Sequence, residues 1–85
     1  MAVVVRLFAA AREAVGASEV SVAAGSVVQV CDELESLVPA ERRPRVAAVL
    51  ALSSLLSGGV RYRAADHAVI PDGSVVDVLP PFAGG

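Results

Sequence analysis

The chain contains no lysine, and all seven of its basic residues are arginines. It therefore offers no side-chain amine for a Schiff base or an isopeptide bond. Tryptophan is also missing, and the aromatic residues are limited to Phe8, Tyr62 and Phe82. The single cysteine, Cys31, excludes an internal disulfide framework, and the single histidine, His67, provides no metal-binding cluster. Charged residues make up 19% and the net charge is −2, so no nucleic-acid footprint is expected. No run reaches the roughly 18 apolar residues of a membrane span. The longest weakly charged stretch, Val46 to Val60, is interrupted by Ser53, Ser54, Ser57, Gly58 and Gly59. The opening Met1–Arg6 alternates like a strand and lacks the charged start of a signal peptide. A soluble, cytoplasmic protein is the expectation.

What remains is 85 residues that are 55% hydrophobic, enough for one small domain and too apolar for a disordered chain. Alternation places a first strand over Ala2–Phe8. Ala9–Val15 is rich in helix formers and stops at Gly16, a suitable residue to close a helix. Glu19–Ala23 reads as a second strand. Ser26 opens the clearest helix, and Gln29 completes a capping box with it. Val27, Val30, Cys31 and Leu34, with Leu37 or Val38, fall on one face, and Pro39 ends the helix.

Pro39–Arg45 reads as a polar connection. Val46–Ser54 is ambiguous between helix and strand, and Val49–Ser53 is read as a strand because the Gly58-Gly59 turn signal follows. Val60–Arg63 is then a short edge strand, Asp66–Ile70 a loop or helical turn, and Pro71-Asp72-Gly73 a turn. Ser74–Leu79 is the last strand. The expected order is strand, strand, helix, strand, strand, strand, an α+β domain with a mixed sheet over one main helix.

The last six residues, Pro80-Pro81-Phe82-Ala83-Gly84-Gly85, carry the functional signal. Two terminal glycines add nothing to a core, and chance would place them there in roughly 0.5% of chains. The residues from Phe82 to Gly85 reach at most about 14 Å when extended, and the final two have no side chains. Such an arm can thread a narrow tunnel and present its carboxylate inside another protein's active site, with the prolines stiffening its exit. A carboxylate is a poor electrophile. Joined to AMP it becomes an acyl-adenylate, and a sulfur nucleophile can displace AMP to leave a thiocarboxylate.

Residues Asp72–Gly85, with their double-proline tail, resemble the C-terminal signature of the small sulfur-carrier subunit of molybdopterin synthase, the MoaD family. Leu7-Phe8-Ala9-Ala10-Ala11-Arg12-Glu13-Ala14-Val15-Gly16 resembles the N-terminal segment of that family. The resemblance covers nearly the whole chain and implies a ubiquitin-like β-grasp fold with adjacent, parallel first and last strands. It implies a domain over residues 1–81 and a flexible sulfur-carrying tail over residues 82–85. An E1-like enzyme would use ATP to adenylate Gly85, and a sulfurtransferase would supply sulfur. The tail would then donate it to cyclic pyranopterin monophosphate in the large catalytic subunit, within a heterotetramer. On this reading the chain binds no cofactor or metal and is no enzyme on its own. Leu52–Gly59 departs from the family's short polar hairpin, which leaves contacts on that side open.

By the same resemblance, Gly85 is the reacting site. Gly84, Ala83, Phe82, Pro81, Pro80, Phe8 and Arg12 form the partner tunnel and interface. Phe82 could instead cover the sheet edge, and Phe8 could be core. Cys31 reads as a core residue, and Arg42, Arg43 and Arg45 as a solvated connection. Three rivals stand beside this reading: a carrier for thiazole or cysteine synthesis, a ubiquitin-like modifier joined to target lysines, and an interaction module with an inert tail.

Overall fold

The computed structural model describes residues 2–23 and 25–81. Strand β1 (Ala2–Leu7) leads through helix α1 (Ala9–Val15) to β2 (Glu19–Ala23). A two-residue strand β3 (Gly25–Ser26) then enters α2 (Val27–Ser36). A 3-10 turn (Ala40–Arg42) passes directly into α3 (Arg43–Leu52). The chain finishes through β4 (Ser54–Ser57), β5 (Val60–Tyr62), β6 (Val69–Ile70) and β7 (Val75–Leu79).

Five strands form one sheet in the order β2-β1-β7-β4-β5. The period of two sends Val3, Val5 and Leu7 of β1 inward with Val76 and Val78 of β7, and all five are buried. Leu55 of β4 and Val22 of β2 complete that face. Against it lies α2, whose Val27, Val30, Cys31 and Leu34 are buried at helical spacing. Burying each of the larger of these side chains contributes roughly 1.5–3 kcal/mol. Val38 is the one that closes this layer, while Leu37 is half exposed.

The start of α2 is tied down group by group. The Ser26 hydroxyl accepts from the Gln29 N–H, and the Gln29 side chain accepts from the Ser26 N–H at 2.8 Å. The next two free amides, Val27 and Val28, donate to the carbonyls of Ala68 and Asp66. This explains the short pairing of β3 with β6, because the loop before β6 must reach the helix end. Gly25 makes room for the box: a Cβ there would lie 2.5 Å from the Gln29 side-chain oxygen.

The main departure from the sequence reading is α3. Neither the polar connection over Pro39–Arg45 nor a strand over Val49–Ser53 is present. Pro44 sits in the first turn, where its missing N–H costs nothing, and Ala47, Ala48 and Ala51 favour a helix. Val46 and Leu50 are buried one turn apart, and the helix packs against α1 and α2. Ser53 closes it, donating from its N–H to the Leu50 carbonyl and from its hydroxyl to the Val49 carbonyl at 2.7 Å. The arginines around it are exposed, as expected of a solvated segment, and two of them also fasten it to its neighbours. Arg42 donates to the Glu13 carbonyl and Arg43 to the Val38 carbonyl, near the C-terminal ends of α1 and α2, where cations are favoured.

The hairpin departs in the same way. Leu52 is the last residue of α3, and only Ser54–Ser57 form the strand. Gly58 and Gly59 both have positive φ, 57° and 77°, which suits a two-residue turn whose twist matches its strands.

Candidate functional site at the end of the sheet

Strand β7 lies at the centre of the sheet, parallel to β1 and antiparallel to β4. Its start is locked to the start of β1. The Ala2 N–H donates to the Asp72 carboxylate at 2.6 Å, and the Gly73 N–H donates to the Ala2 carbonyl at 2.8 Å. With the beginning fixed, the register delivers the end: Leu7 lies beside Val78, and Ser54 beside Leu79. Pro80 follows and is buried, and Pro81 is exposed. The expected parallel pairing of the first and last strands is therefore present, and it sets Pro80 and Pro81 beside the end of β1 near Phe8. The site residues Phe82, Ala83, Gly84 and Gly85 lie outside the described residues.

Phe8 stands one residue beyond β1 at this same end of the sheet and is 40% exposed, so it is not a core residue. Its carbonyl accepts from Ala11 and Arg12 as α1 begins. Arg12 itself lies on the exposed side of α1 and is not among the residues lining the groove described below.

The solvent face of the sheet carries a row that sequence reasoning did not single out. Register places Glu19, Arg6, Asp77, Leu56 and Arg61 side by side across the five strands. Arg6 grips Asp77 with two hydrogen bonds, Nε to Oδ1 at 2.6 Å and Nη2 to Oδ2 at 2.9 Å. These bonds, more than simple charge attraction, hold the Asp77 carboxyl below the usual carboxylate range and raise the Arg6 guanidinium. The Arg6 guanidinium carbon also lies 5.9 Å from the centre of the Phe8 ring, near the outer limit of a cation–π contact. Arg6 thus ties β1, β7 and Phe8 together below the exit.

Beside that row is a groove of about 310 Å³ lined by Leu52, Ser54, Leu56, Arg61, Arg63, Leu79, Pro80 and Pro81. Its two prolines are the chain's path out of the sheet. The alternation of Arg61 and Arg63 about Tyr62 was the available signal, since it places both arginines on one side of an edge strand. A second depression, larger at about 410 Å³ and more open, lies between Ser57, Val60, Tyr62, Pro71 and Val75 and contains no charged side chain. Cys31, on α2, is buried. That burial, helped by Asp32 and Glu35, pushes its thiol up to about 11, far from the thiolate that sulfur chemistry requires.

A mixed sheet with parallel first and last strands, wrapped over a central helix and ending beside an open face, defines a ubiquitin-like β-grasp protein. Comparison with solved structures agrees. SAMP1 from Haloferax volcanii superposes with a TM-score of 0.76 at 21% identity, covering 100% of both chains. The small archaeal modifier protein 1 from Methanosarcina acetivorans gives 0.69 at 26% identity, over 99% of this chain and 96% of that one. A Pyrococcus furiosus protein described as molybdopterin converting factor, subunit 1, gives 0.70 at 21% identity, over 95% and 98%. No family model matches the chain, and no curated protein matches it.

Proposed function

We propose that this chain is a sulfur carrier of the MoaD type, the small subunit of a molybdopterin synthase, whose Gly85 carboxylate is its working group. The observation that carries this reading is the parallel pairing of β1 with β7, which leads the Pro80-Pro81 segment out at an exposed end of the sheet. The Phe82-Ala83-Gly84-Gly85 sequence then continues from that point. Similarity to the Pyrococcus furiosus protein supports the choice of pathway.

In the proposed cycle the Gly85 carboxylate attacks the α-phosphate of ATP on an E1-like enzyme and pyrophosphate leaves. A sulfur nucleophile at the oxidation level of hydrosulfide attacks the acyl carbon, and AMP leaves with the bonding electrons. In the large catalytic subunit the thiocarboxylate sulfur bonds to a carbon of cyclic pyranopterin monophosphate. Water then attacks the Gly85 acyl carbon, so that the acyl–sulfur bond breaks, the substrate keeps the sulfur and Gly85 returns as a carboxylate. Bases and substrate contacts belong to the partners, and the chain contributes a slim arm and a rigid base for it. The Arg6–Asp77 grip keeps β1 and β7 together at that base.

A second reading is favoured by the small archaeal modifier proteins among the structural neighbours. The same activated carboxylate would then be captured by a lysine amine on a target protein. Intact mass separates the two readings. The chain is incubated with its E1-like enzyme, ATP and a sulfur donor, or purified from its own cells. A gain equal to one oxygen exchanged for sulfur, absent once Gly85 is deleted, is the result expected of a carrier. A ladder of heavier conjugates without that gain would transfer the assignment to the modifier. Neither product would overturn both.

A further inference from the structure

We propose that the groove beside Pro80 and Pro81 seats an acidic, apolar segment of the protein that takes up the tail. The inference rests on the carrier reading, because a partner that encloses Phe82–Gly85 must also cover the groove wall from which they emerge.

The floor is apolar and open: Leu52 is 65% exposed and Leu56 37%, with Leu79 beside them. An apolar floor alone would accept many partners, and the rim supplies the selection. Arg61 and Arg63 project from one edge of the hairpin into the groove lining. Among the described residues the ion pairs are Arg6 with Asp77 and Arg45 with Glu13, so neither rim arginine is neutralised. Two carboxylates adjoin the rim by register or sequence, and each already has a hydrogen-bond partner. Asp77 is held by both arms of Arg6, and Asp66 accepts from the backbone N–H of Arg63. The chain's own acidic helix face, Asp32, Glu33 and Glu35, belongs to α2 on the other side of the sheet. Two guanidinium groups with no acidic partner among the described residues, set above exposed leucines in a chain of net charge −2, call for carboxylates flanking apolar side chains, the pattern arginine forks recognise best.

The full chain is titrated with two dye-labelled ten-residue peptides, one alternating leucine and glutamate, the other leucine and lysine. The glutamate peptide is expected to bind at least about tenfold more tightly, and to loosen as salt rises from about 50 to about 200 mM. It should move the amide resonances of Leu56, Arg61, Arg63 and Leu79. The double variant Arg61→Glu/Arg63→Glu should lose at least about tenfold in affinity while keeping a dispersed amide spectrum. The gentler Arg61→Gln/Arg63→Gln should fall between. Equal binding of both peptides, or indifference to the arginine variants, overturns the proposal.

Two further results would reassign the groove and so also overturn it. If a chain ending at Pro81 binds the glutamate peptide at least about tenfold more tightly than the full chain, the tail itself occupies the groove. If sedimentation shows a dimer that the arginine variants dissolve, a second copy does. The mass experiment keeps the two readings apart. A tail that charges with sulfur in a chain without peptide selectivity removes the groove alone. Selective binding with a tail that never charges supports the groove and removes the sulfur chemistry.

Discussion

Cys31 and Asp77 are both acids in the broad sense, and their surroundings push them in opposite directions. The buried Cys31 thiol is raised from about 9 to about 11, so the folded protein holds its proton more tightly than the unfolded chain. This contribution to stability is complete below pH 9 and declines as pH rises towards 11. At neutral pH the thiol should resist a disulfide reagent such as Ellman's until denaturant opens the fold. Rapid labelling of the native protein would contradict its burial. Asp77 is lowered by the Arg6 hydrogen bonds, so its contribution is present above the unfolded carboxyl value, near 4, and fades as pH falls through the folded value. Asp77→Asn should therefore flatten the acid side of a melting-temperature profile below about pH 5. The pair is partly exposed, so the difference should be modest and shrink with salt. The burial that raises Cys31 was legible from its place on the apolar face of α2, but the direction at Asp77 was not, because Arg6 and Asp77 are neighbours only through the sheet register. Phe8 was undecided for the same reason: its exposure depends on β1 stopping at Leu7.

At the scale of elements, α2 was legible and α3 was not, and the contrast has a physical cause. α2 announces itself with a capping box and a one-sided apolar stripe. Removing the cap with Ser26→Ala should cost about 1 kcal/mol by chemical denaturation. α3 scatters its apolar residues around the whole axis: Val46 and Leu50 point inward, yet Leu52 is exposed and Ala47 and Val49 are half-buried. Periodicity had nothing to lock onto, and the Gly58-Gly59 turn drew the strand backwards by several residues. Pro44 near the start of a run of alanines was the usable signal. Leu50→Ala tests the assignment, because a buried helical leucine wedged among Ala11, Ala14 and Val46 should lose about 2–5 kcal/mol. Leu52→Ala, two residues on and exposed, should lose little, whereas alternating strand packing would make both residues matter. The same mistake hid the groove. With Leu52 placed in a strand, its position beside Leu56 and Arg61 could not be foreseen.

On the scale of the whole molecule, the fold joins its two ends. β7 is the last of the described strands and the central one in the sheet, bonded to β1 on one side and β4 on the other. No stable sheet can exist before it is in place, because β1 and β4 would each present an open edge and an uncovered apolar row. A chain cut after Ile70 should therefore lack native amide dispersion despite retaining both α2 and α3. A chain cut after Pro81 keeps every described strand and the buried Pro80, so its melting temperature should match that of the full protein. If the carrier reading holds, that second truncation loses sulfur charging entirely. The two cuts, eleven residues apart, would divide folding from chemistry. Retained charging after removal of Phe82–Gly85 would place the reacting group elsewhere in the chain, and a collapse in stability would make those residues part of the core. Where the full chain charges, the expected pairing of an unchanged melting temperature with a lost mass gain fits a tail that serves a partner and a body that serves the tail, and it excludes an inert tail.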